Sequence, residues 1–202
     1  KYFISTKDKK INFDLDLNLD KTNFEVNFLN YKKNDKIDTQ LKIKGHYDKN
    51  KNLSLNNLTI SEDKNKIEVS NLILNKNNSI INVDQIEFDY LDTENKLNNY
   101  SIKRIKKNNY KIIGLNFNAN TLIANLLKGN HKKRKNFFQN NIALNISLDE
   151  VALDEINYIS DLKGNLFIKD NSVIDANLSA VFDDKKNISF SINSDEENNK
   201  IT

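Results

Sequence analysis

The sequence predicts an all-β protein: a long, curved antiparallel meander, open as a groove or half-pipe, with one short amphipathic helix near residues 121–128. Three observations predict it. Apolar and polar residues alternate with a period of two in stretch after stretch, the pattern of a strand with one oily and one wet face. The breaks between stretches are short and polar, as in turns joining antiparallel neighbours. Only one stretch carries apolar residues at helical spacing.

The alternation is cleanest in KINFDLDLNLD, where Ile11, Phe13, Leu15, Leu17 and Leu19 alternate with Asn12, Asp14, Asp16, Asn18 and Asp20. Asp and Asn are poor strand residues, so the pattern overrules propensity and is itself the signal. NFEVNFL continues it with Phe24, Val26 and Phe28, and KIDTQLKIKGHY with Ile37, Leu41, Ile43 and Tyr47. In NLSLNNLTI the apolar pairs Leu53–Leu55 and Leu58–Ile60 differ in parity, so the Asn56-Asn57 step predicts a bulge or a bend. Further strands follow from Ile67, Val69, Leu72 and Leu74, from Ile81, Val83, Ile86, Phe88 and Tyr90, and from Tyr110, Ile112, Leu115 and Phe117.

NTLIANLLKGN then places Leu122, Ile123, Leu126 and Leu127 on one helical face, with Asn120 as the expected cap and Gly129 past the end. A basic run, His131 to Lys135, comes next. The ladder resumes with Ile142, Leu144, Ile146 and Leu148, then Leu162, Leu166 and Ile168. It ends with Ile174, Ala176, Leu178, Ala180 and Phe182, then Ile188, Phe190 and Ile192. The predicted organisation is therefore a strand segment over 1–118, the helix and basic loop over 119–140, and a second strand segment over 141–202.

Composition narrows the function. The 202 residues carry 31 basic and 28 acidic side chains, a net charge of +3. That balance lacks the basic bias of a nucleic-acid binder, and no nucleic-acid partner is expected. With no Cys there is neither a disulfide framework nor a thiolate metal site. Asn makes up about one residue in five, which reads as drift at solvated positions. The two histidines, His46 and His131, sit in no metal or catalytic motif. The acidic pairs at strand ends, such as Asp154-Glu155, read as polar turns, and no D-x-D-x-D-G calcium loop occurs. No phosphate-binding Gly loop or nucleophile elbow is present. No enzyme activity, cofactor or metal is expected.

A period-two face has to be covered by a second sheet, by closure into a barrel, by helices, or by something that is not protein. One short helix cannot cover a dozen strands. A composition with no Pro, no Trp and four Gly, and 38% hydrophobic overall, is lean for a closed sandwich. Lipid is the remaining occupant. A diacyl lipid exposes on the order of 30 CH₂ groups at ~0.8 kcal/mol each, so moving one through water needs a continuous apolar wall. A structural or adhesive β-sandwich module is the alternative; it calls for a fixed repeat period, and none is found. An outer-membrane barrel needs strands of even length and aromatic girdles, which the scattered Tyr and uneven strands do not supply.

The segment DEINYISDLKGNLFIKDNSVIDANLSAVFDDKKNISFSIN, preceded by the helix TLIANLLKG and its basic tail, resembles the AsmA-like proteins, in particular the large YhdP type. The resemblance covers roughly residues 100–202 and extends to 1–100 only as the same style of alternation. It implies an inner-membrane anchor lying outside this segment, projection into the periplasm of a Gram-negative bacterium, and a β-groove that leads phospholipid toward the outer membrane. Periplasmic or outer-membrane partner proteins come with that expectation. On it the chain is an interior piece of a longer protein.

The expected groove lining in the first half is Phe13, Leu15, Leu17, Phe24, Val26, Phe28, Leu41 and Ile43. In the second half it is Ile142, Leu144, Ile146, Leu166 and Ile168, then Leu178, Phe182, Phe190 and Ile192. Lys132, Lys133, Arg134 and Lys135 are candidates for contact with anionic head groups or an acidic partner.

Overall fold

Nearly every period-two stretch becomes a strand. A computed structural model of the chain describes residues 1–33, 37–49, 52–127, 141–169, 172–182, 186–195 and 198–201. The fold is nearly all β, with 75% strand and 4% helix, and the strands do not close into a barrel. In chain order the first strands are β1 (Tyr2–Lys7), β2 (Lys10–Asn18), β3 (Phe24–Val26), β4 (Tyr31–Lys33), β5 (Thr39–Asp48), β6 (Leu53–Glu62), β7 (Asn65–Leu74), β8 (Ile80–Asn82) and β9 (Gln85–Leu91). Then come β10 (Leu97–Lys106), β11 (Asn109–Asn118), α1 (Asn120–Leu127), β12 (Ile142–Ala152), β13 (Tyr158–Lys169), β14 (Ser172–Phe182), β15 (Lys186–Asp195) and β16 (Asn198–Ile201). The chain divides into two compact units, Lys1–Asn95 and Lys96–Thr202.

In the first unit the strands lie in the order β1-β2-β5-β6-β7-β9, each antiparallel to the next. Tight turns join them. Asp8 and Lys9 have φ of 50° and 63°, the left-handed pair that suits the twist of a two-residue hairpin. Asp63, Asn78 and Asn108 also sit at positive φ, so some of the abundant Asp and Asn are turn-formers. The parity change at Asn56-Asn57 is a register shift between β5 and β6, as the sequence predicts. Asn71, at φ 51°, makes the matching irregularity in β7. The stretch 80–91 also breaks in two at Val83-Asp84, where the Asp84 N–H donates to the Ser70 carbonyl over 3.1 Å and Asn71 Nδ2 donates to Asp84 Oδ2 over 2.9 Å.

One element of this unit departs from the predicted strand run. Phe24, Val26 and Phe28 do not join the large sheet. Residues 24–26 pair with 31–33 as a separate two-stranded sheet, and Asn27–Leu29 between them form a 3₁₀ turn. The insertion leaves β2 and returns to β5, which is β2's neighbour in the sheet.

The second unit runs β10-β11-β12-β13-β14-β15-β16. All its neighbours are antiparallel except β11 and β12, which are parallel, so the meander has one crossover. A parallel pair needs a long connection, and α1 lies in it. The helix begins at Asn120, one residue before the predicted start. Asn118 Oδ1 takes the Asn120 N–H over 3.0 Å at the helix start. Gly129 lies outside the described residues. Ile123 packs on a core built from Ala119, Ile146, Leu148, Val151, Ile159 and Ala180. The β12–β13 turn is tied by Asp154, whose Oδ1 accepts the N–H groups of Ile156 and Asn157 over 2.9 and 2.8 Å. The Asn157 side-chain amide and these two N–H groups hold its carboxyl below the ordinary value.

Gly164 sits at φ +146°, and a Cβ there would lie 1.9 Å from the Asn177 carbonyl oxygen on β14. Both the backbone conformation and the strand spacing therefore require glycine. We expect Gly164→Ala to cost at least about 1–3 kcal/mol, measured as a lowered urea midpoint.

Candidate lipid-facing surface

Residues directly opposite one another in neighbouring strands share a face of the sheet. In the first unit that rule gathers the apolar set into rows. One row runs Tyr2, Leu15, Ile43, Leu58, Val69 and Ile86 across β1, β2, β5, β6, β7 and β9. A second runs Leu17, Leu41, Ile60, Ile67 and Phe88. A third holds Ile4, Phe13, Gly45, Leu55 and Leu72, and a fourth Ile11, Tyr47, Leu53 and Leu74. The opposite face carries Asp14, Lys44 and Asn57, then Asp16, Lys42, Thr59 and Glu68. Lys44 and Asp14 form a solvent-exposed ion pair at 3.5 Å there, of a kind that contributes little to stability.

Five of the expected lining residues of the first half, Phe13, Leu15, Leu17, Leu41 and Ile43, thus lie on one face, and all five are only half-buried. At its β1 end the face is open: Tyr2 is 80% and Ile4 60% exposed. The sequence reading missed Tyr2, Ile4, Leu58, Ile60 and Val69 as members, although each obeys the same alternation. Phe24 and Val26 belong to the inserted hairpin, and the Phe28 side chain lies outside what is described.

That hairpin docks at the β9 end of the unit. Tyr31, 1% exposed, packs edge-on to Tyr90 with ring centroids 5.6 Å apart and tilts against Phe24 at 5.9 Å. Its hydroxyl donates to the buried Glu62 carboxylate at the end of β6. Tyr90 Oη donates to the Leu29 carbonyl over 2.8 Å, and Thr93 Oγ1 donates to Asn30 Oδ1 over 2.6 Å. Lys33, fully buried, donates from Nζ to the Asp20 carbonyl over 3.2 Å, while Asp20 Oδ1 takes the Thr39 N–H over 3.0 Å. No sequence signal marked this clasp, since Lys33, Thr39 and Glu62 belong to no motif and lie far apart in the chain.

In the second unit all nine expected lining residues share a face. Leu144, Leu166, Ala176 and Ile192 form one row, and Ile112, Ile146, Gly164, Leu178 and Phe190 another. Ile142 pairs with Ile168, and Phe182 with Ile159. Their environments differ. Ile142 and Ile146 are buried; Leu144, Leu166, Ile168, Leu178, Phe182 and Ile192 are half-buried; Phe190 is exposed. The basic candidates Lys132, Lys133, Arg134 and Lys135 lie outside the described residues, as does His131. His46 is half-buried on the polar face of β5, opposite Asn12 and Ser54.

Among the described residues, no group of three or more His, Cys, Asp or Glu is placed to hold a metal ion, and no helix is long and apolar enough to cross a membrane. No family model matches the chain, and no curated protein or solved structure matches it.

Burial pushes the Tyr31 phenol well above the ordinary tyrosine value, and its hydrogen bond to Glu62 and the Glu62 charge push the same way. Burial alone raises Tyr100, whose ring lies 5.2 Å from that of Phe117 in the second unit. A tyrosine whose native pKa is raised stabilises the fold fully below pH ~10 and loses that contribution as pH climbs toward the native value, because only the unfolded chain has released the proton. We expect spectrophotometric titration to show Tyr31 and Tyr100 ionising late, together with unfolding. Tyr31→Phe should remove one late phenol and cost about 1–3 kcal/mol, because it leaves the Glu62 carboxylate without its buried donor; a native-like urea midpoint in this variant would contradict the clasp.

Proposed function

We propose that the chain is a segment of a non-enzymatic lipid carrier whose one-sided apolar faces hold acyl chains of phospholipid. The observation that carries this reading is the row-matched apolar face of the first unit, partly exposed along its rows and open at β1. Within the first unit the described residues contain, beside the sheet that carries this face, only the two-stranded β3–β4 sheet, so that unit holds no second sheet of comparable size to cover it.

The dimensions suit the occupant. Six strands at about 4.8 Å spacing make a face about 24 Å wide. One acyl chain spans half of a hydrocarbon core that is about 30 Å thick. A chain laid across the strands would therefore find apolar rows along its whole length. On this reading the protein is periplasmic, tethered to the inner membrane of a Gram-negative cell through an anchor elsewhere, as the AsmA-like resemblance implies. The membrane, and proteins at its far end, are then its partners. The two-sheet adhesive module is the weaker reading, for want of a second large sheet among the described residues of the first unit.

The test is site-specific photo-crosslinking from Leu15, Ile43 and Phe190, with Asp14 on the polar face as control, followed by lipid extraction and mass spectrometry. Phospholipid joined at the three apolar positions and not at Asp14 is the expected result. Phe190→Asp, at an exposed position, should cut crosslinking from Ile192 several-fold in a chain that stays folded, whereas Leu144→Asp enters the packed core and should lower stability as well. Protein free of lipid at every apolar position would sink the proposal.

A further inference from the structure

The polar face of the second unit holds a hollow that the lipid reading does not use. Ala143 on β12 is opposite Phe167 on β13 and Asn109 on β11, so a small side chain sits between two larger ones. The result is a half-open depression of about 340 Å³, within the range of small-molecule sites. Phe167 forms one wall and is 37% exposed; Ile105, 60% exposed, lines it as well. The rim is polar. Asn145 Nδ2 donates to Asn165 Oδ1 over 2.9 Å. That bond leaves the Asn145 oxygen, the second Asn145 N–H and both Asn165 N–H groups for a ligand. Asp175, opposite Phe167 on β14, adds a carboxylate.

We propose that this hollow binds an uncharged hexopyranose. An open aromatic face beside two amides and one carboxylate suits a ligand with an apolar flat side and a rim of hydroxyls. A pyranose has both: its axial C–H bonds stack on a ring, and its vicinal hydroxyls donate to a carboxylate and exchange hydrogen bonds with amides. Among the described residues a carboxylate and no basic side chain lines the hollow, with Lys111 and Lys106 standing at its edge opposite Asn145 and Asn109, which favours a neutral ligand over phosphate or carboxylate. The amide pair also orients itself: with Asn165 Oδ1 taken by Asn145, Asn165 turns donors outward while Asn145 turns its acceptor outward.

The sugar could come free or as the head group of a glycolipid, and two probes separate these. Amide chemical shifts of the full chain are followed by NMR during titration with methyl glucoside, and separately with octyl glucoside below its micelle concentration. Saturable shifts confined to residues 143–145, 165–167 and 175 with both probes support a free-saccharide site. The same shifts with the octyl probe alone support a head-group site. Ala143→Leu fills the hollow and Phe167→Ala removes its wall. Each should weaken binding about tenfold or more. Phe167 is exposed enough that its variant decides the matter if Ala143→Leu fails to fold. Shifts absent with both probes, spread over the whole surface, or unchanged by Phe167→Ala overturn the proposal. The outcome is independent of lipid crosslinking on the opposite face.

Discussion

Every feature of both units depends on parity. A strand repeats every two residues, and a slip of one turns its whole apolar set to the wrong side. The first unit keeps parity across six strands in spite of a break in the sequence pattern. Asn56 interrupts β6 between Leu55 and Leu58, and Asn71 interrupts β7 between Val69 and Leu72. Pairing steps from Leu55↔Leu72 to Asn57↔Ser70, so the two interruptions face each other and the apolar rows resume on the same side. The Val83-Asp84 break separates β8 from β9 next to them, and the Asn71–Asp84 hydrogen bond ties the two irregularities together. The second unit makes a similar correction from Leu148↔Leu162 to Val151↔Ile159.

Each unit covers part of its face by a different local device. In the first, a hairpin inserted between adjacent strands brings Tyr31, Lys33 and a 3₁₀ turn onto the β9 end. Its buried polar groups are paired with Glu62 and Asp20, as desolvation demands. In the second, a crossover helix brings Ile123 onto the β12–β14 core. The hairpin draws on long-range hydrogen bonds and aromatic edges, the helix on aliphatic packing. Either way, a chain that is 38% hydrophobic meets its need for a core with one face and a partial cover, where a closed sandwich would need two opposed apolar faces.

The strands were legible because burial on one side writes itself into every second residue. Leu15, Ile43, Leu144 and Phe190 could be assigned to faces with no tertiary information, and Asn56-Asn57 announced its own bulge. The hairpin was not legible. Phe24, Val26 and Phe28 alternate as well as any strand, but three residues of alternation do not say which sheet they join, and the docking rests on Tyr31 and Glu62, which pair across 31 positions. The parallel β11–β12 pair escaped for a related reason: a short helix says that a crossover is possible, and only the register says which strands it brings side by side. The hollow at Ala143 comes from one small residue flanked across strands, a feature invisible until the register is known.

The partly exposed face has an energetic consequence. Full burial of a Leu, Ile, Val or Phe side chain is worth about 1.5–3 kcal/mol, and Phe13, Leu15, Leu17, Leu41, Ile43, Leu58, Ile60 and Val69 keep at most about a third of their surface accessible, so each forgoes up to about 0.5–1 kcal/mol. Net domain stability is about 5–15 kcal/mol. The unused burial is therefore at most a part of that scale, and whatever occupies the face gains within that limit. Association through these rows would be driven by area and little by directional contacts, because their hydrogen-bonding side chains, Tyr2, Thr6 and Tyr47, lie at the margins. A surface of that kind discriminates poorly between one apolar chain and another and lets its occupant slide along the strands. On the proposed reading those are the properties wanted of a carrier.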